Sequence, residues 1–239
     1  EKLGGKLEAG DYFLAPNMSA RSIAKSLTRG YVAGVTLTIP EGYRLEQIAE
    51  LVETKLNIPY NDFVLAAKTH EGYLFPDTYE FRAQATAQEV VSKLRSTWDI
   101  KVQTLSQKPS QSDVILASII EREALTKSEK PIIAGILTKR LKEGWGLEVD
   151  ASIQYILGKK GGWWPVPLLA DRKIKSPYNT YINTNLPPTP ICNPGLDSLR
   201  AVLEPEDSPY YFYLHDKQGN IHYATTNQEH EANINTYIR

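Results

Sequence analysis

The amino-acid sequence predicts an α+β fold in two unequal parts. Three observations lead there. Short β-branched stretches alternate with short amphipathic helices over the first third, longer apolar helices fill the middle, and a hairpin signal stands near the C-terminus. The division is drawn as 1–80, a small α/β unit with its connecting segment, and 81–239, a larger mixed α+β domain. The first part alone is too small to bury much core.

The elements follow in order. Asp11-Tyr12-Phe13-Leu14 reads as a strand, broken by Pro16-Asn17. Ser19 caps a helix with Ile23, Ala24 and Leu27 on one face, ending at Gly30. Residues 35–39, VTLTI, alternate as a strand does, and Pro40-Glu41-Gly42 is a turn. Leu45, Ile48, Ala49, Val52 and Leu56 recur at helical spacing, and Asn61 is placed to cap a further short helix. Residues 71–79, EGYLFPDTY, read as an ordered loop. Thr86 and Glu89 form a capping box for a helix with Val90, Val91, Leu94 and Trp98.

The stretch 114–125, VILASIIEREAL, is apolar nearly all round, so it predicts a core helix, started by Ser110 and Asp113. Ser128 is expected to cap the next helix, with Pro131 in its first turn and Gly144 as its stop. Asp150 is expected to cap another over 151–157. Residues 158–194 form a long irregular region rich in Gly, Pro, Trp, Asn and Thr, which suggests a functional loop set rather than a linker. A short helix over 195–203, strands over 210–214 and 221–224 joined through Gly219-Asn220, and a helix opened by the Thr226/Glu229 capping box complete the chain.

Composition removes several classes of function. The 27 basic and 28 acidic residues leave a net charge of −1, unlike a nucleic-acid binder. Cys192 is the single cysteine, which precludes an internal disulfide and a cysteine metal site. Neither a membrane-spanning run nor a signal peptide is visible. Nucleophile-elbow, Walker, dinucleotide and H-E-x-x-H motifs are missing. His222 and His230 with Glu229 or Glu231 would make a two-histidine metal site, but hydrogen bonds to loop backbone or a place in the lining of a cleft explain these histidines better.

Two acids stand in the central apolar helix. Glu121 and Glu123 lie about 200° apart around it, so they face different ways. Lys127 stands four residues after Glu123, which marks Glu123 as a rim charge. Glu121 shares its face with Ala117, Ser118, Ala124 and Leu125, none of them a charge partner. Such a carboxyl should hold its proton and serve as a general acid. The alternative is a glutamate bonded to a backbone N–H or to Arg122 or Arg140. The segment Ser176-Pro177-Tyr178-Asn179-Thr180-Tyr181 offers groups that donate and accept, suited to hydroxyls and acetamides, or else to a self-satisfied turn.

Residues 116–124, LASIIEREA, resemble the LASIVEKE signature of the YceG-like family, the endolytic murein transglycosylases. Further stretches match in order: EGYLFPDTY at 71–79, DASIQY at 150–155, SPYNTY at 176–181, LPP at 186–188, NPG at 193–195, and His222 with Glu229-His230. The sequence departs where Asn185 and Thr189 stand in place of glycines, and in Trp145 and the Gly161-Gly162-Trp163-Trp164 insert. The resemblance implies a LysM-like subdomain in 1–80, with Gly10-Asp11-Tyr12 and the Ser19 helix, and a catalytic domain with a lysozyme-like glutamate cleft in 81–239.

It also implies a lytic transglycosylase that cleaves the MurNAc–GlcNAc β-1,4 bond of peptidoglycan, leaves 1,6-anhydroMurNAc ends and terminates nascent glycan strands. No cofactor is implied. Expected partners are glycan strands and cell-wall synthases, with no nucleic acid. Localisation at the cytoplasmic membrane, catalytic part outside, would follow from an N-terminal anchor absent from this chain. Glu121 matches the family's catalytic glutamate. Supporting contacts to substrate are expected from Tyr178, Asn179, Thr180, Asp150, Gln154 and Glu123. An ordinary glycosidase uses two carboxylates; here the sugar's C6 hydroxyl replaces water, so one carboxyl acting as acid and then base suffices. The rival readings are a non-catalytic peptidoglycan-binding module and an intracellular lyase acting on a small aromatic acid, which as a pyridoxal-phosphate enzyme would need a Schiff-base lysine, and no lysine in an apolar setting stands out.

Overall fold

The computed structural model describes residues 18–27 and 34–239. The expected strand at 11–14, the Pro16-Asn17 break, the Gly10-Asp11-Tyr12 motif and the Gly30 stop lie outside them. Helix α1 (Ala20–Leu27) begins where Ser19 Oγ accepts the Ser22 N–H at 3.2 Å. Strand β1 (Val35–Thr38), α2 (Leu45–Leu56), α3 (Tyr60–Ala67) and β2 (Thr78–Phe81) follow as a β–α–α–β unit. β1 and β2 are antiparallel, Val35 opposite Phe81 and Thr38 opposite Thr78. β2 lies at the end of what reads as loop in the sequence; TYEF alternates, but its partner is some forty residues earlier, beyond any local signal. Pro59, not Asn61, precedes α3. A proline before the first turn suits the start because its own N–H is not needed there.

Helix α4 (Ala87–Lys101) has the Thr86/Glu89 capping box, and α5 (Gln111–Glu123) has the Ser110/Asp113 one, both with reciprocal bonds formed. Next come α6 (Lys130–Lys142), α7 (Asp150–Leu157), α8 (Leu196–Leu203), the hairpin β3 (Phe212–His215) and β4 (Ile221–Ala224), and α9 (Asn227–Tyr237). The fold is thus mixed α+β, helix-dominated. Glu129 occupies the cap position of α6, while the Ser128 hydroxyl turns to Thr126. Val149, not Asp150, holds the cap position of α7, and the Ala151 N–H in the first turn donates to Glu123 at 3.4 Å, so a side chain of another helix does the work expected of Asp150.

Two apolar cores organise these elements. The first gathers Leu37, Ile48, Val52, Phe63, Leu74 and Phe81 with Val90, Val91 and Leu94 of α4. The second gathers Trp98, from the other end of α4, with Ile119 and Ile120 of α5, Ile133 and Leu137 of α6, and Leu199 of α8. The division expected at 80/81 falls within β2, and α4 serves both cores. α5 is buried without a break from Val114 to Ile120. Ser118 is tolerated there because its hydroxyl donates to Ile115 O (2.7 Å) and accepts the Ile191 N–H (3.0 Å). That second bond lays the segment leading to α8 across α5.

One polar clip joins the parts. The Gly42 N–H donates to Asn193 O (3.0 Å) and the Asn193 N–H to Tyr43 O (2.9 Å). The fully buried Asn193 side chain accepts the Leu74 N–H (2.8 Å) and donates to Tyr43 O (3.0 Å) and Glu71 Oε1 (2.9 Å). The turn at 40–43 is thereby held against residues 193–195. Burial pushes the Glu71 carboxyl up to about 8, against the pull of the Leu45 N–H.

Candidate active site

Three helix ends meet around Glu121: the C-terminal end of α5 and the N-terminal ends of α6 and α8. Lys130, first residue of α6, donates its Nζ to both carboxylate oxygens at 3.1 Å. The Gly195 N–H donates to Oε2 at 2.9 Å and Ser198 Oγ at 2.7 Å. Both side chains of the pair are nearly buried, Glu121 with 8% of its surface exposed and Lys130 with 6%. The positive end of the α8 dipole adds to this anion site.

The expectation that Glu121 lacks a charge partner is therefore wrong. The partner lies nine residues on, after a loop that no helical spacing rule spans. Glu129 closes that loop, its carboxylate accepting the Leu125 N–H (2.9 Å) and the Thr126 N–H (3.3 Å). Neither arginine takes the role. Arg140 donates to Leu147 O and Tyr211 O, and Arg122 lies over the Trp164 ring at 4.1 Å. Leu125 is outside α5 and 62% exposed, so it does not line Glu121's face.

Glu123 is also misjudged by the spacing argument. Lys127 bonds Asp197 at 2.7 Å instead. Glu123 turns inward, accepting from Tyr213 Oη (3.0 Å) and the Ala151 N–H (3.4 Å). Burial raises its pKa, and these two donors pull it back only in part. The glutamate with the lysine is Glu121; the one without is Glu123.

The remaining expected residues fall in two groups. Asn179 is fully buried; its amide donates to Arg172 O (3.0 Å) and Ile174 O (2.8 Å) and its Oδ1 accepts the Tyr181 N–H. Thr180, 1% exposed, shares hydrogen bonds with Val149 and Ser152. Asp150 accepts from Tyr181 Oη (2.6 Å) and pairs with Arg172 (3.3 Å), and Gln154 is half-buried on the same helix. Tyr178 is different. It packs on Tyr155 and lines a cavity of about 330 Å³ between the two parts, with Leu45, Glu71, Tyr73 and Pro190. Glu121 does not line that cavity. Among the described residues, no hydrogen bond joins Tyr178, Asn179 or Thr180 to Glu121.

The Gly161–Trp164 insert lies on α2. Trp163 Nε1 donates to Glu50 (3.1 Å), Trp164 Nε1 to Gln47 (2.8 Å), and Arg44 lies over the Trp163 ring at 5.0 Å. His222 bonds Asp216 at 3.0 Å and His230 stacks on Phe212, so the two histidines do not converge. Among the described residues, no group of three or more His, Cys, Asp and Glu could hold a metal ion. No helix among them is long and apolar enough to cross a membrane.

Sequence reasoning missed Lys130, Gly195 and Ser198 as neighbours of Glu121, and it read Glu41-Gly42 only as a turn. A carbon placed at Gly42 as a side chain would sit 3.6 Å from Glu121 Cγ, so that turn packs directly on the site. The one available signal was the N-P-G stretch before α8, whose glycine leaves a helix start open to a neighbouring acid.

Fold and site together define a two-part α+β protein with an ion-paired carboxylate held where three helices converge. Its relatives agree on one family. A sequence model described as the YceG-like family matches residues 1–236, and the chain belongs to that family. A protein of Bacillus subtilis named endolytic murein transglycosylase is 30% identical over 97% of this chain and 73% of its own length. One of the same name from Streptococcus pneumoniae strain R6 is 26% identical, over 97% of this chain but only 51% of itself. The crystal structure of a YceG-like protein from Listeria monocytogenes superposes with a TM-score of 0.73 at 28% identity, covering 95% of this chain and 85% of that one.

Proposed function

We infer that the protein is an endolytic lytic transglycosylase of peptidoglycan. It cleaves the MurNAc–GlcNAc β-1,4 bond, leaves 1,6-anhydroMurNAc ends and so terminates nascent strands. The observation that carries this reading is Glu121: a carboxylate of the family-signature helix, nearly buried and fixed by Lys130, Gly195 and Ser198. The names of its relatives support the substrate. In the one-carboxyl scheme Glu121 protonates the leaving oxygen and then accepts the C6 hydroxyl proton. Fixing the sugar's own hydroxyl as nucleophile removes the entropy loss of placing a water.

The part before α4 would serve as the LysM-like subdomain, and the cavity between the parts, lined by Tyr155 and Tyr178, would seat a sugar against aromatic faces. Asn179, Thr180, Asp150 and Gln154 would support that wall from behind. Action outside the membrane, an N-terminal anchor and work beside cell-wall synthases complete the proposal. Mass analysis of products from defined glycan strands tests it. Internal cuts with anhydro ends are expected; reducing ends, or binding without any product, would refute it.

Glu123 has no part in the proton transfers on this reading. Glu123→Gln should retain near wild-type activity. Its raised pKa means the folded state binds this proton more readily than the unfolded chain does, so ionised Glu123 opposes folding at neutral pH. Gln removes that opposition and can still accept from Tyr213. A melting temperature at pH 7 no lower than wild type is expected; inactivity would return Glu123 to the reacting group.

A further inference from the structure

Single exposed apolar side chains, such as Leu65 and Ile100, are ordinary on a protein surface. Residues 166–169 are different, because three stand together. Val166 is 87% exposed, Leu168 70% and Leu169 77%. The loop that carries them is fixed at both ends. Trp163 and Trp164 turn onto α2 and give their indole N–H groups to Glu50 and Gln47. The Leu168 N–H donates to Asp171 Oδ2 at 2.7 Å, closing the turn into a short 3-10 helix (Leu169–Lys173). Pro165 and Pro167 restrict the backbone between these supports. An aliphatic tip is thus held out on a rigid loop.

The rim of the tip is basic. Segment 159–175 holds five basic residues and one acid, in a chain whose net charge is −1. The acid is Asp171, which the loop itself uses. Arg172 pairs with Asp150 at 3.3 Å. Lys159, Lys160, Lys173 and Lys175 are exposed, and among the described residues none of them pairs with a carboxylate.

We propose that this loop is a membrane-contact site, its aliphatic tip entering the interface of an anionic bilayer while the lysines meet lipid phosphates. Exposed aliphatic groups ringed by lysine match such a surface in both polarity and charge. A protein interface favours aromatic and arginine residues at its centre and is poor in lysine. A sugar would call for an open aromatic face, yet Arg44 lies over the Trp163 ring and Arg122 over Trp164. The contact is separate from the N-terminal anchor proposed above and independent of the chemistry at Glu121. Its role is to set how the folded part is turned toward the bilayer.

Sedimentation with lipid vesicles tests this. The wild type should bind vesicles of equal parts phosphatidylglycerol and phosphatidylcholine, less tightly as salt rises, and pure phosphatidylcholine far more weakly. Leu168→Ser/Leu169→Ser should weaken binding about 10-fold or more. Lys173→Gln/Lys175→Gln should weaken it roughly 30-fold, at about fivefold for each lysine near an anionic surface. Melting temperatures should match the wild type, because all four side chains are exposed. An environment-sensitive dye on Leu168→Cys should report an apolar setting when the anionic vesicles are added; Cys192 is fully buried and leaves the label to that position. No wild-type binding to the anionic vesicles, binding that neither double variant weakens, or a dye that does not respond overturns the proposal. A dimer in solution that Leu168→Ser/Leu169→Ser abolishes, without vesicle binding, also overturns it and gives the tip to a second copy of the chain.

Discussion

Glu121→Gln should yield no detectable anhydro-ended product from glycan strands that the wild type digests. The amide can neither give nor take the proton at the pH of the reaction. The same substitution should lower stability, because it takes from the almost buried Lys130 the carboxylate that both its bonds reach. Breaking one half of a buried pair costs about 3–5 kcal/mol, a fall in melting temperature of roughly 10 °C for a chain of this size. Adding Lys130→Met to Glu121→Gln removes the stranded charge. That double variant should recover much of the melting temperature and none of the activity. Recovery of activity in it would show that the carboxylate is not the reacting group.

Asn193→Ala should be the most disruptive single change away from the charged pair. Its side chain satisfies the Leu74 N–H, the Tyr43 carbonyl and Glu71 from a fully buried position. Losing it orphans the buried Leu74 N–H and takes one of two donors from Tyr43 O and from Glu71, so a loss of about 3 kcal/mol, the upper end for one orphaned buried group, is expected. Activity should fall together with stability, because the clip sets the 40–43 turn against Gly195 and Glu121. Hydrogen exchange localises the effect: amides of Gly42 and Asn193, paired to each other's segments, should lose protection first. Unchanged protection there would mean that the two backbone bonds alone hold the junction.

What the sequence determined by itself is local. The Ser110/Asp113, Thr86/Glu89 and Thr226/Glu229 boxes mark helix starts that are all formed, since a cap is written within four residues. The apolar run at 114–120 marked α5 as a core helix, and the family signature marked Glu121. The tertiary structure decided who meets the two acids. Helical spacing pointed to Lys127 beside Glu123, yet Lys127 went to Asp197 and Glu123 to Tyr213, ninety residues away. Lys130 and Ser198 reach Glu121 only because α6 and α8 begin where α5 ends. Gly42 reaches it only because Asn193 binds the turn at 40–43. The physical reason is that caps and periodicity depend on a few neighbouring residues, whereas charge pairs in a buried site depend on how separate helices pack, and no short window of sequence encodes that.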